Sequence, residues 1–178
     1  MATKKITKKP AKKAVKKSVK KIVKKTEAKI EKPKKLPVGK GPIKYTTSNT
    51  FKASVATVWA AATEAKHLKQ YFVDDMKGDF SKKNVEWFWK EWGWMAIDVV
   101  KYTKNKEMIV LARSMDNKYL VTVRYEIVRK KGVTIFRVHE SGYPTKDLNS
   151  AFMMCEGWTE FHTGLKAYLK FGVDLRKA

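Results

Sequence analysis

The chain contains one cysteine, Cys155, so no internal disulfide can form and the fold must rest on packing. A reducing compartment suits such a chain, and the cytoplasm is the expected location: nucleoid- or ribosome-associated in a bacterium, nuclear in a eukaryote. No stretch approaches the roughly 18 uninterrupted apolar residues that span a bilayer, and the N-terminus lacks the apolar core of a secretory signal. Acids are scarce, 17 against 40 Lys and Arg in 178 residues, for a formal net charge of +23. Arginine is missing from the first 44 residues, which carry 18 lysines and only Glu27 and Glu31 as acids. Transit peptides are also acid-poor, but they favour arginine, which sets that reading aside. A phosphate-cradling glycine loop and a Ser-His-Asp pattern are absent, and His67, His139, His162 and Cys155 show no zinc-ligand spacing. No cofactor or metal is expected.

What is present divides in two. Residues 1–42 form a Lys/Pro-rich tail, and residues 43–178 have the length and apolar content of one domain. From Lys12 to Lys25 the tail reads KKAVKKSVKKIVKK, a four-residue unit in which lysine pairs alternate with small or apolar pairs. Lysines at i and i+4 repel, and β-branched valines lower helix propensity, so the free segment is expected to be disordered. A phosphate backbone would relieve that repulsion, allowing coupled folding and binding. The residues proposed to contact phosphate are Lys12, Lys13, Lys16, Lys17, Lys20, Lys21, Lys24, Lys25, Lys34 and Lys35. Lysine binds phosphate as a mobile point charge rather than a base-reading fork, so contacts to DNA or RNA, including ribosomal RNA, would be sequence-independent. A solvated solubility tail and attraction to acidic lipid headgroups are the alternatives.

In the domain, an extended run from Ile43 to Lys52 precedes Ser54, a capping residue for a helix through Val55, Val58, Trp59 and Ala62. A second short helix through Leu68, Tyr71 and Phe72 is expected. Six strands follow, at 76–80, 84–90, 95–102, 107–113, 118–129 and 133–140, divided by turn residues. With the first they predict a seven-stranded antiparallel meander. A final helix over 147–171 places Met154, Trp158, Phe161, Leu165, Tyr168 and Leu169 on one stripe, which a curved sheet must cover.

This order is α+β, that of a helix-grip fold. The runs FKASVATVWAAATEAKHLKQYF, VEWFWKEWG, TIFRVHESGY and above all GWTEFHTGLKAYLKFG resemble the SRPBCC (START/Bet v-like) superfamily, and within it the activator of Hsp90 ATPase homologue branch, over about residues 43 to 173. That resemblance implies a cavity between sheet and helix suited to an apolar ligand, and it raises a lipid carrier, a cyclase-like enzyme or an Hsp90-type co-chaperone as alternatives to a tethered binding protein. It implies no reaction.

Candidate cavity residues are Trp87, Trp89, Tyr119, Tyr125, Trp158, Phe161, His162 and Leu165. Each is equally an aromatic or aliphatic core residue, and for the tryptophan run 87–94 the core reading is favoured over ligand stacking. Stacking of nucleic-acid bases would require aromatics on the other sheet face as well. His139, Glu140 and His162 could support proton transfer, but neighbours in a strand point to opposite faces, so at most one of the first two joins His162. Cys155, in a helix of methionines, reads as packing, and Asp74-Asp75 reads as a turn. The protein is not expected to be an enzyme.

Overall fold

The computed structural model describes residues 36–177. Seven strands, β1 (Gly41–Phe51), β2 (Asp75–Asp79), β3 (Asn84–Trp89), β4 (Gly93–Thr103), β5 (Glu107–Arg113), β6 (Leu120–Lys130) and β7 (Val133–Gly142), form one antiparallel sheet. Helices α1 (Val55–Thr63) and α2 (Ala65–Leu68) lie between β1 and β2, and α3 (Leu148–Phe171) follows β7. This is the helix-grip arrangement expected.

Strand order corrects one expectation. β2 to β7 are a meander, but β1 pairs with β7 and not with β2, giving the order β1-β7-β6-β5-β4-β3-β2. The two helices carry the chain across the concave face to the far edge. There Gly41 makes the docking of β1 sterically possible: a Cβ on it would stand 1.9 Å from the carbonyl oxygen of Tyr143. The second helix is also shorter than expected. It closes at Leu68, where the amide N–H groups of Phe72 and Val73 both donate to the Leu68 carbonyl, so Tyr71 and Phe72 sit in the turns that follow.

Local chemistry explains the helix ends. Ser54 Oγ accepts from the Thr57 amide at 3.1 Å, satisfying a donor of the first turn of α1. α3 stops at Gly172, whose φ of 68° is left-handed. Alternation along β6 sends Val121, Val123, Tyr125 and Ile127 inward, each buried, while Thr122, Arg124 and Glu126 face outward. The inner face packs on Ala151, Trp158, Phe161, His162 and Leu165 of α3, all buried. At about 1.5–3 kcal/mol for each large side chain removed from water, this layer holds the domain together.

Candidate functional site

The space between the sheet and α3 is walled by aromatic rings. Phe72 stands at its centre, 4.8 Å from Phe161 and 5.5 Å from both Trp87 and Trp89, with near-perpendicular planes. Tyr125 meets Trp158 edge-on at 5.6 Å, and Trp158 meets Phe161 at 5.5 Å. His162 packs 5.7 Å from both Phe136 and Phe161. Of the eight cavity candidates, Trp87, Trp89, Tyr125, Trp158, Phe161 and His162 thus join one aromatic cluster, and Leu165 and Tyr119 are buried in the same core, Tyr119 edge-on to Tyr143 at 6.3 Å.

Three polar atoms within this interior have no hydrogen-bond partner: Trp87 Nε1, Tyr125 Oη and His162 Nδ1. Their residues are 4%, 0% and 2% exposed, so water does not satisfy them from outside. Leaving such a group unpaired costs on the order of 1–3 kcal/mol, and buried groups of this kind normally have a partner. The other ring nitrogen of His162 is 3.2 Å from Thr47 Oγ1 on β1. Burial pushes the His162 imidazole down to about 4, so it is neutral at physiological pH. By contrast Trp89 Nε1 donates to the Phe72 carbonyl at 3.0 Å, and Trp59 Nε1 to Tyr102 Oη at 3.2 Å.

A second polar group occupies the interior. Glu140, 1% exposed, accepts at Oε2 from Tyr45 Oη and Trp158 Nε1, both at 2.5 Å, and at Oε1 from Tyr143 Oη at 2.7 Å. Burial raises the carboxyl above its usual range, while the three donors oppose the shift. The Tyr45 and Tyr143 hydroxyls are pushed upward, first by burial and then by the Glu140 charge. Both carboxylate oxygens are therefore committed. Glu140 ties β7, β1 and α3 together, and its occupied lone pairs suit it poorly to act as a general base.

His139 and Glu140 point to opposite faces, as expected of neighbours in a strand. Glu140 turns inward, but His139 faces outward, with Nδ1 2.8 Å from Thr46 Oγ1 and Nε2 3.1 Å from Glu126 Oε2. No hydrogen bond joins Glu140 to His162. Cys155 is a half-buried free thiol of α3, and no group of three or more His, Cys, Asp or Glu among the described residues could hold a metal ion. Asp74 accepts from the Lys90 amide in the bend before β2, whereas Asp75, expected in a turn, opens β2 and accepts from the Met76 amide and Lys69 Nζ. The tryptophan run divides: Trp87 and Trp89 go inward, Trp92 is 66% exposed, and Trp94 is 43% exposed, tilted against Phe88 and covered by Lys77 Nζ at 3.9 Å. At the β2–β3 end that outer surface is aromatic, yet Asp75 and Glu86 share it, which disfavours a phosphate backbone there. The phosphate-contact candidates from Lys12 to Lys35 lie outside the described residues.

Sequence reasoning missed the Glu140 cage. Its signal is a register, Tyr45 opposite Glu140 on β1 and β7, and that pairing exists only once β1 has crossed to the far edge.

With this geometry in view, comparison with known families is decisive. The model of the activator of Hsp90 ATPase homolog 1-like proteins matches residues 52–170, most of the described domain. The chain belongs to that family. It lies within the SRPBCC superfamily, and no curated protein matched the chain. Among solved structures, SSP2350 from Staphylococcus saprophyticus aligns with a TM-score of 0.66 and 16% identity over 75% of this chain and 96% of its own. The Aha1 dimer from Colwellia psychrerythraea aligns at 0.60 with 19% identity, covering 73% and 98%. DynU16, from the dynemicin biosynthetic locus, aligns at 0.64 with 17% identity over 72% of this chain, which spans only 48% of DynU16. At these identities the likeness is one of fold. No helix among the described residues is long and apolar enough to cross a membrane.

Proposed function

We propose that this is a non-enzymatic binding protein whose domain takes a small, largely apolar molecule between the sheet and α3. The observation that carries this reading is the set of unpaired buried atoms, Trp87 Nε1, Tyr125 Oη and His162 Nδ1. An apolar body would lie against Phe72, Phe136 and Phe161, and polar functions on the ligand would meet the unpaired atoms they reach. An indole N–H and a tyrosine hydroxyl donate, so the complementary group is an oxygen acceptor such as a carbonyl. The committed oxygens of Glu140 favour binding over a cyclase-like reaction. Action on an Hsp90-type chaperone is a reading taken from the family description alone.

The tail supports an accessory role as a tether. A charge of +16 over 44 residues, with no arginine, favours sequence-independent attachment to DNA or RNA, including a ribosome, over recognition of a motif. The cytoplasm, nucleoid or nucleus is the compartment that fits such attachment.

Solvent extraction of protein purified from its own host, followed by mass spectrometry of the extract, tests the ligand reading. A stoichiometric small molecule bearing a carbonyl or comparable acceptor, reduced in Tyr125→Phe, is the expected result. An extract with no such molecule from both proteins would overturn it.

A further inference from the structure

The outer face of the sheet, away from α3, holds a depression of about 470 Å³ lined by Lys44, Tyr45, Thr46, Ile109, Thr122, Arg124, His139, Glu140 and Ser141. Strand register explains it. Lys44, Ser141 and Thr122 form one row across β1, β7 and β6, and Thr46, His139, Arg124 and Ile109 form the next across β1, β7, β6 and β5. Three short hydroxyl side chains make the floor, and Lys44, Arg124 and His139 rise around it. Tyr45 and Glu140 border the depression through strands whose own side chains turn inward, where the Glu140 carboxylate is held by its three donors.

We propose that this depression is a phosphate site. Lys44 has no ion-pair partner among the described residues, whereas Arg124 is held over the depression by Glu107 at 2.9 Å and Glu126 at 3.5 Å. The row beyond contributes Arg137, 3.4 Å from Glu126, and Lys101 pairs with Glu107. Four cations, Lys44, Lys101, Arg124 and Arg137, thus face three carboxylates, Glu107, Glu126 and, two strands away in the row of Thr122, Asp98, and the local charge remains positive. An orientated guanidinium, an unpaired ammonium and the hydroxyls of Thr122 and Ser141, with Thr46 Oγ1 engaged by His139, supply donors that phosphate oxygens accept. The volume exceeds what one phosphate needs, leaving room for the group that carries it. Lys40 and the tail precede Lys44 in the same chain. The site therefore deepens the tether reading: a backbone attracted by the tail meets an ordered phosphate contact on the sheet.

The full-length protein labelled with ¹⁵N is titrated with inorganic phosphate and, separately, with a 5′-phosphorylated thymidine dinucleotide, and amide shifts are followed. Saturable shifts confined to Lys44, Thr46, Thr122, Arg124, His139 and Ser141 are expected, stronger for the dinucleotide if a nucleic-acid backbone is the natural source and equal if free phosphate is. Lys44→Gln should weaken the site about fivefold or more, and Ser141→Leu, which fills the floor, should abolish it. The same titrations on a full-length variant with ten tail lysines (12, 13, 16, 17, 20, 21, 24, 25, 34 and 35) changed to Gln separate the two ideas. Retained shifts in that variant support the depression by itself. Shifts scattered over the surface, or unchanged by Lys44→Gln, overturn the site, and the tether stands or falls separately on whether the ten-Gln variant loses a longer oligonucleotide.

Discussion

Glu140 is the residue whose removal is most informative. Changing it to Ala leaves the hydroxyls of Tyr45 and Tyr143 and the Trp158 indole N–H without their acceptor. At about 1–3 kcal/mol for each stranded group, partly offset because Tyr45 reaches the surface, the expected loss is about 3 kcal/mol or more. Urea unfolding of Glu140→Ala, with Tyr45→Phe as a milder comparison at about 1.5 kcal/mol, checks this; equal small losses would mean that the cage contributes little. His162 gives a pH signature. Folded, it stays neutral down to about 4, whereas a free histidine protonates near 6.5. Unfolding therefore takes up a proton between those values, and the stability tied to neutral His162 is full above about 6.5 and declines as the pH falls toward 4. From pH 7 to pH 5 the loss is about 2 kcal/mol. Glu140, raised by burial, acts in the opposite sense: its contribution is full below the ordinary carboxyl range and is lost as pH rises through its folded value. His162→Gln should flatten only the first trend. A wild-type slope no steeper than that of the variant would contradict the assignment.

At the scale of elements, the helices and five of the strand pairings were legible because each rests on a local period or a local turn. Tyr119 to Ile127 alternates cleanly, Ser54 announces α1, and the stripe from Met154 to Leu169 places α3 to within a residue. The partner of β1 was not legible. Nothing in residues 43–52 says that they will lie beside β7, since the pairing is made by two helices spanning the sheet and by Gly41 meeting the backbone of Tyr143 at close range. The Glu140 cage and the depression on the outer face both depend on that pairing, which is why neither was visible beforehand. By the same reasoning the aromatic candidates were identifiable as a set, but which of their polar atoms would lack partners was not. Gly41→Ala is expected to push the start of β1 away from β7, lowering Tm and increasing amide exchange at Lys44 and Tyr45. Exchange unchanged from wild type would show that the close approach is dispensable.

Across the whole molecule, the proposed tether and the proposed ligand site are separate systems. Most of the excess charge lies in the first 44 residues, and the proposed ligand site belongs to a domain that carries the smaller share. If about 8 tail lysines neutralise duplex phosphates, log K should fall against log salt with a slope near −7. Electrophoretic shifts of full-length protein across a salt series measure it, and the ten-Gln variant, which keeps eight of the 18 lysines, should show a clearly shallower slope; a slope the two proteins share would remove the substituted lysines as the source of affinity. Burial of an apolar ligand belongs to the other system and should be nearly indifferent to salt.

The account rests on the interior being occupied in its natural state. A high-resolution crystal structure of protein purified from its own host tests this most directly. Continuous non-protein density against Phe72 and Phe161, within hydrogen-bonding distance of at least two of Trp87 Nε1, Tyr125 Oη and His162 Nδ1, is the predicted result. Those three atoms found bonded to one another or to ordered water alone, with the rings closed around them, would contradict it.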